Sequence, residues 1–137
     1  MSDRIPAIKL LLLPKDTNSF GTIFGGVILS HIDLASAVEA SRTAPLRYVT
    51  RAMHQVEFHQ PVFLGDVVSF YTETVRVGRT SITVRILVEA ERRGVSRVAP
   101  AAPGLGELVK VTEAVVVLVA VNDQGRPVPI RSEPTQA

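Results

Sequence analysis

The sequence contains no cysteine, which excludes disulfides, thiolate zinc sites, iron–sulfur clusters and cysteine nucleophiles. Charge of one sign is also lacking: 15 Lys+Arg stand against 13 Asp+Glu, a net charge of +2. The calculated pI of 9.4 rests on that small excess, so no nucleic-acid partner is expected. Long hydrophobic runs are missing too. Residues 10–13 and 114–121 are the longest apolar stretches, well short of the roughly 20 residues that span a bilayer. Pro14 closes the first stretch too early for a secretory segment. No membrane association is expected, and a cytoplasmic location follows by elimination. Nucleophile-elbow, phosphate-loop, dinucleotide-binding and His-x-x-x-His patterns are all absent. No metal and no cofactor are therefore expected.

What is present is a chain of 137 residues, 46% hydrophobic and 20% charged, which suits a single globular domain over residues 1–137 with its own core. Residues 5–13 read as a strand and 14–19 as a turn-rich loop. Residues 24–42 form one long helix candidate, free of Pro and Gly after Gly26, ending before Pro45. At 100° per residue, Phe24, Ile28, Ile32 and Ala35 share a face that Val27, Leu34, Val38 and Leu29 widen, which predicts a buried helix. The remaining narrow stripe holds Gly26, Ser30, Asp33, Ala37 and Ala40. Strands are expected at 48–60, 67–77, 81–92 and 108–121. Within 81–92, Ile82, Val84, Ile86, Val88 and Ala90 alternate with mostly polar residues, whereas 108–121 is apolar enough to be covered on both faces. Residues 94–106 read as a loop, and the Pro-containing tail, about 127–137, as extended and frayed. With a single candidate crossover helix, the sheet must be antiparallel and packed on that helix, an α+β arrangement that dimerisation would complete.

The informative constellation runs from Asp16-Thr17-Asn18 through Gly25-Gly26 to Asp33. Glycines in the first turn of a helix leave backbone N–H groups uncovered where the helix dipole favours developing negative charge. Asp33 falls on the face of Gly26 two turns further along, about 10 Å away. Each piece also has a plainer reading: close helix packing for the glycines, a turn or cap for Asn18, and an ion pair with Arg42 or Arg47 for Asp33. Together they favour a site for an oxyanion with a carboxylate nearby. His31 reads as structural. His54 and His59, five residues apart on an expected strand, should face opposite sides of the sheet and so cannot act as adjacent ligands.

These residues resemble a family. The stretch from Pro14 to Glu39, the block Phe58-His59-Gln60-Pro61-Val62-Phe63-Leu64-Gly65-Asp66, the block Val77-Gly78-Arg79-Thr80-Ser81 and the ending Val121-Asn122-Asp123-Gln124-Gly125-Arg126-Pro127 are similar, in order over about residues 8–128, to the single-domain bacterial acyl-CoA thioesterases of the hotdog fold. The resemblance implies an antiparallel sheet wrapped around one long central helix. It also implies a homodimer with a continuous sheet, assembled into a hexamer as a trimer of dimers, and hydrolysis of acyl-CoA to free acid and CoA. Carried over residue by residue, Asp33 matches the catalytic carboxylate, Asn18 an asparagine that helps hold the reacting group from the opposite subunit, and Gly26 the glycine whose N–H polarises the thioester carbonyl. Gly25 lies beside it in the substrate site, and Gly78, Arg79, Thr80 and Ser81 match the turn that binds the nucleotide and phosphates of CoA. The loop 94–106 departs from the family pattern, so no contacts carry over to it. The rival reading is a non-catalytic module of the same fold that binds or senses acyl-CoA, for which Asp33 would be dispensable.

Overall fold

A β-branched run with period-two burial, laid beside an apolar helix, leaves few ways to hide both. In the computed structural model, which describes residues 4–93 and 106–130, the helix α1 (Gly25–Thr43) lies on one face of an antiparallel sheet. The strands are β1 (Ile8–Leu11), β2 (Arg47–Phe58), β3 (Val67–Val77), β4 (Ser81–Glu91) and β5 (Leu108–Val121). Their spatial order is β1-β3-β4-β5-β2, every pairing antiparallel.

The alternation in β4 fixes its register: Ile82, Val84, Ile86, Val88 and Ala90 are all fully buried on the face toward the helix. They meet Ala114, Val116 and Leu118 of β5 and Phe70 of β3, together with Ile28, Ile32 and Ala35 of α1. Truncating a core member such as Ile32 would cost about 2–5 kcal/mol. At the start of β3, the fully buried Asp66 carboxylate accepts from the Arg92 guanidinium at 2.6 Å and from the amides of Phe63 (2.9 Å) and Arg93 (3.0 Å). That bond set joins the turn before β3 to the end of β4. Near the other end of α1, Glu39 accepts from the Thr72 hydroxyl and from the hydroxyl and amide of Thr74, bracing the bulged stretch of β3 around Val75.

The structure departs from the sequence pattern in four places. Leu34 is 57% exposed and Phe24 58% exposed, while Ala40 is fully buried. The open stripe of α1 therefore runs through Gly26, Ser30, Leu34 and Ser41, and Phe24 precedes the helix instead of sharing its buried face. β5 is deeply buried on the helix side only, Val115, Val117 and Val119 on the outer face being half-buried. Residues 127–130 are not frayed: Pro127 bridges Val121, the Val128 amide donates to the Ala120 carbonyl, and the Ile130 amide donates to the Arg79 carbonyl. Residues 131–137 of the tail lie outside the described residues. So does the loop 94–106 except for Gly106, whose amide donates to the Arg92 carbonyl at the base of the β4–β5 hairpin.

The fourth departure is in β2, which skips register twice, at Arg51 and at Gln55–Val56, where Gln55 adopts φ +52. One extra residue inverts the face of everything after it. His54 pairs with Val115 and Glu57 with Glu113, both on the outer face, so His59, two residues beyond Glu57, shares a face with His54. The expectation that the two histidines point to opposite sides fails because the bulge restores their parity. β2 is also the free edge of the sheet beyond β5, a long unpaired edge of the kind that soluble proteins cover.

Candidate active site

The loop before α1 is built by its own short polar side chains. The Asp16 carboxylate accepts from the Leu13 amide at 2.8 Å, and that bond holds it below the usual carboxylate range. Asn18 Oδ1 accepts from the amides of Phe20 and Thr22, and its Nδ2 donates to the Thr22 hydroxyl at 2.9 Å. Asn18 is thus a loop-former within its own chain, with one Nδ2 hydrogen left over. The reverse turn closes at Gly21 (φ +88), a conformation that favours glycine. The loop then docks through the Ile23 amide on the Val62 carbonyl.

That path brings the chain into α1 without a side-chain cap. Phe24 occupies the cap position with no side-chain hydrogen bond, its own amide donating to the Asp16 carbonyl at 2.9 Å. The amides of Gly25 and Gly26 find no acceptor among the described residues. The backbone here is not bare on every side: the Phe24 ring lies against Gly26, so near that a Cβ there would sit 2.7 Å from the ring edge. Beside this helix start is a cavity of about 320 Å³ walled mainly by apolar side chains such as Ile23, Ile28, Phe58 and Val62, with His59 and Gln60 also on its lining. Apolar walls beside unpaired amides can take a chain whose polar end carries an acceptor.

Asp33 is half-buried two turns along the helix. Its partner is neither Arg42 nor Arg47. Thr50 of β2 donates its hydroxyl to Asp33 Oδ1 at 2.5 Å, while Arg47 pairs with Asp123 at 3.2 Å. Thr50 is the Asp33 partner that sequence reading did not single out. It faces the helix because it stands opposite the buried Leu118, before the bulge at Arg51. A neutral hydroxyl fixes the carboxylate without neutralising it, leaving Oδ2 for a proton.

The structure brings together Asn18, Gly25 and Gly26 at one end of α1, with Asp33 in its middle. The Gly78–Ser81 turn lies elsewhere. It joins β3 to β4, the Gly78 amide donating to the Ser81 carbonyl at 2.8 Å, beyond the Thr74 that meets Glu39 and Thr43 near the C-terminal end of the helix. The ends of this 19-residue helix are about 27 Å apart. Arg79 is exposed and makes no ion pair among the described residues. A Cβ at Gly78 would meet Ser81 Oγ at 2.9 Å, so the turn suits glycine. His31, in contrast, is occupied in the fold, its Nδ1 2.9 Å from the Val27 carbonyl and its ring against Phe70.

One long helix against an antiparallel sheet in this strand order, with a carboxylate in mid-helix, defines a hotdog-fold domain of α+β class. The thioesterase superfamily matches over residues 20–96, and the chain belongs to that family. Among relatives, the acyl-CoA thioester hydrolase YciA of Salmonella typhimurium is 37% identical over 123 residues, covering 90% of this chain and 87% of that one. A hexameric hotdog-fold thioesterase of Campylobacter jejuni is 44% identical, covers 92% of this chain and 90% of its own, and superposes with a TM-score of 0.81. A hexameric broad-specificity acyl-coenzyme A thioesterase, solved with an aspartate replaced by alanine, is 35% identical over 97% of this chain and 91% of its own, with a TM-score of 0.84. Among the described residues no helix is long and apolar enough to cross a membrane.

Proposed function

We propose that the protein hydrolyses acyl-CoA thioesters to a free carboxylic acid and CoA. The observation that carries this reading is a mid-helix carboxylate, held by a neutral hydroxyl, two turns from uncapped amides that border an apolar cavity. Thiolate is a good leaving group, so the reaction needs chiefly an activated water and a place for negative charge. It calls on no Ser-His pair, metal or cofactor.

In the proposed cycle the acyl chain enters the cavity and the thioester oxygen is polarised by the Gly26 amide at the positive end of the helix. Gly26 and Asp33 of one helix stand about 10 Å apart, so the carboxylate that removes a proton from the water attacking this carbonyl is assigned to the partner subunit's Asp33, with Asn18 orienting water or carbonyl through its spare Nδ2 hydrogen. Collapse of the tetrahedral intermediate expels the CoA thiolate, which takes a proton to leave as the thiol. Direct attack by Asp33, giving a mixed anhydride that water then opens, is the second form of the mechanism. Single-turnover hydrolysis in heavy-oxygen water separates the two, because label entering the Asp33 carboxylate requires the anhydride. Gly78, Arg79, Thr80 and Ser81 are assigned to the nucleotide and phosphates of CoA, with the Arg79 fork as the phosphate ligand.

The turn and the helix start of one chain are a helix length apart, so we assign them to one substrate across a pair of chains. The free β2 edge and the open stripe of α1 supply a surface for a second copy, and three such dimers would make a hexamer, the assembly named for the two solved relatives. The cytoplasm is the compartment expected for it.

The test is thiol release from short, long and aromatic acyl-CoAs by wild type and Asp33→Asn. Turnover by wild type that falls about 100- to 10,000-fold in the variant, with fold and assembly intact, is expected when a general base is removed. Binding of acyl-CoA without turnover would replace this reading with a non-catalytic acyl-CoA binding module, and equal turnover by the two proteins would remove Asp33 from the mechanism.

A further inference from the structure

The bulge at Gln55–Val56 sets up a second group of residues on the outer face of the sheet, away from the helix. Glu57 stands directly opposite Glu113 in the β2–β5 register. Two carboxylates in that relation repel each other, and a sheet that keeps them there supplies positive charge between them. His59, on the same face as Glu57, directs Nε2 at both: 3.2 Å from Glu113 Oε2 and 3.6 Å from Glu57 Oε1. Lys110 reaches the same Glu113 oxygen at 2.6 Å, and this contact, more than the His59 bond, holds the Glu113 carboxyl below the usual range.

We propose that Glu57, His59 and Glu113 form a binding site for a divalent transition-metal ion of the zinc type. One imidazole nitrogen and two carboxylate oxygens come within 4.8 Å of one another. Ligand atoms at about 2.0–2.1 Å from a tetrahedral ion are roughly 3.3 Å apart, which is close to the two separations His59 already has. A nitrogen in the set favours zinc, nickel or cobalt over calcium and magnesium, which prefer oxygen throughout.

Two further observations bear on the site. A recess of about 320 Å³ opens beside it, bordered by Gln55, Glu57, Arg85 and Glu113, with room for the water that would complete the coordination shell. Gln55, at φ +52, holds a left-handed backbone conformation that few non-glycine residues adopt and that clusters at functional sites. Arg85, the other cation at the recess, is turned toward Glu73 at 3.4 Å. Lys110 is therefore the group an ion must displace. A bound ion would fasten the free edge strand to β5 at the end where Phe58 packs against Gly25. His59 also borders the cavity proposed for the acyl chain, but the ion has no step in the proposed hydrolysis, and its binding is read without substrate.

The experiment uses the full-length protein, stripped with chelator and titrated with zinc chloride by isothermal calorimetry, with thermal melting in parallel. One ion per chain is expected, with a raised Tm. Affinity should fall at least tenfold in His59→Ala, and similarly in the near-isosteric Glu57→Gln and Glu113→Gln, which guard against misfolding. Lys110→Met should bind several-fold more tightly, because the competing ammonium is gone. His54→Ala, on the same face outside the cluster, should match wild type, and excess magnesium should not compete. Absence of saturable binding overturns the proposal. So do wild-type affinity in both His59→Ala and Glu113→Gln, weaker binding in Lys110→Met, or an equal loss in His54→Ala.

Discussion

Thr50→Val removes one hydroxyl and keeps the shape of the side chain. In wild type that hydroxyl donates to Asp33 Oδ1 at 2.5 Å, and a hydrogen bond to a charged group contributes about 1.5–3 kcal/mol. Thr50 lies on the exposed edge strand, where water can substitute, so the lower figure applies. If the bond serves to aim the carboxylate, kcat for acyl-CoA hydrolysis should fall about tenfold, with KM nearly unchanged because Thr50 grips no part of CoA. Thr50→Ser keeps the donor and should recover most of the rate. The same Thr50→Val change in an Asp33→Asn background should have little further effect, since the group it orients is no longer a base. The assay is thiol release over a range of substrate concentrations, with melting curves showing all five proteins equally folded. A Thr50→Val rate within twofold of wild type would refute the reasoning. So would a loss in the Asp33→Asn background as large as that in wild type, because the threonine would then act independently of the carboxylate.

Other consequences can be checked separately. Asp66→Ala strands the Arg92 guanidinium, only 11% exposed, together with two backbone amides, and should lower stability by about 3–5 kcal/mol in urea unfolding. Replacing both partners by apolar residues should restore much of that loss. Arg79→Ala should raise KM for acyl-CoA and leave kcat near wild type; an unchanged KM would make the residue a solvated hairpin tip. Tyr48 donates its hydroxyl to the Ala44 carbonyl, and burial holds its phenol above the ordinary value of 10.0. The folded chain thus keeps a proton that the unfolded chain loses first. The stabilisation is fully present below the unfolded value and disappears as pH rises through the folded one, so Tyr48→Phe should flatten the alkaline fall in Tm.

Local pattern reveals some of this molecule and hides the rest. The strict alternation from Ile82 to Ala90 could be read directly, because one residue in two had to be buried and none intervened. The helix with Gly25-Gly26 at its start and Asp33 inside it was equally plain, since composition changes sharply at both ends. In β2, by contrast, parity counting fails twice, at Arg51 and at Gln55–Val56, and neither position carries the glycine that would signal a bulge. The shared face of His54 and His59 is hidden for that reason, while Thr50 meets Asp33 across 17 positions of chain, a pairing that no spacing rule indicates. Glu113 joins His59 across 54 positions of chain, a separation at which spacing holds no information. Leu34 was placed in the core because an isolated helix cannot tell one apolar flank from another, and only the sheet shows which flank it covers.

The short ladder after the Asn122 turn has a bearing on where this chain tolerates change. Residues near a chain terminus are ordinarily the first that can be trimmed or replaced. Here Val128 is fastened to Ala120, and Ile130 is fastened to the carbonyl of Arg79 itself. The grip proposed for the CoA phosphates is thus cantilevered from a β-hairpin and steadied from behind by the strap at residues 127–130. Removing residues 126–130 would leave the strands and α1 in place, at the cost of the Ile130 contact with the core, and would free the loop proposed to hold the nucleotide end of the substrate.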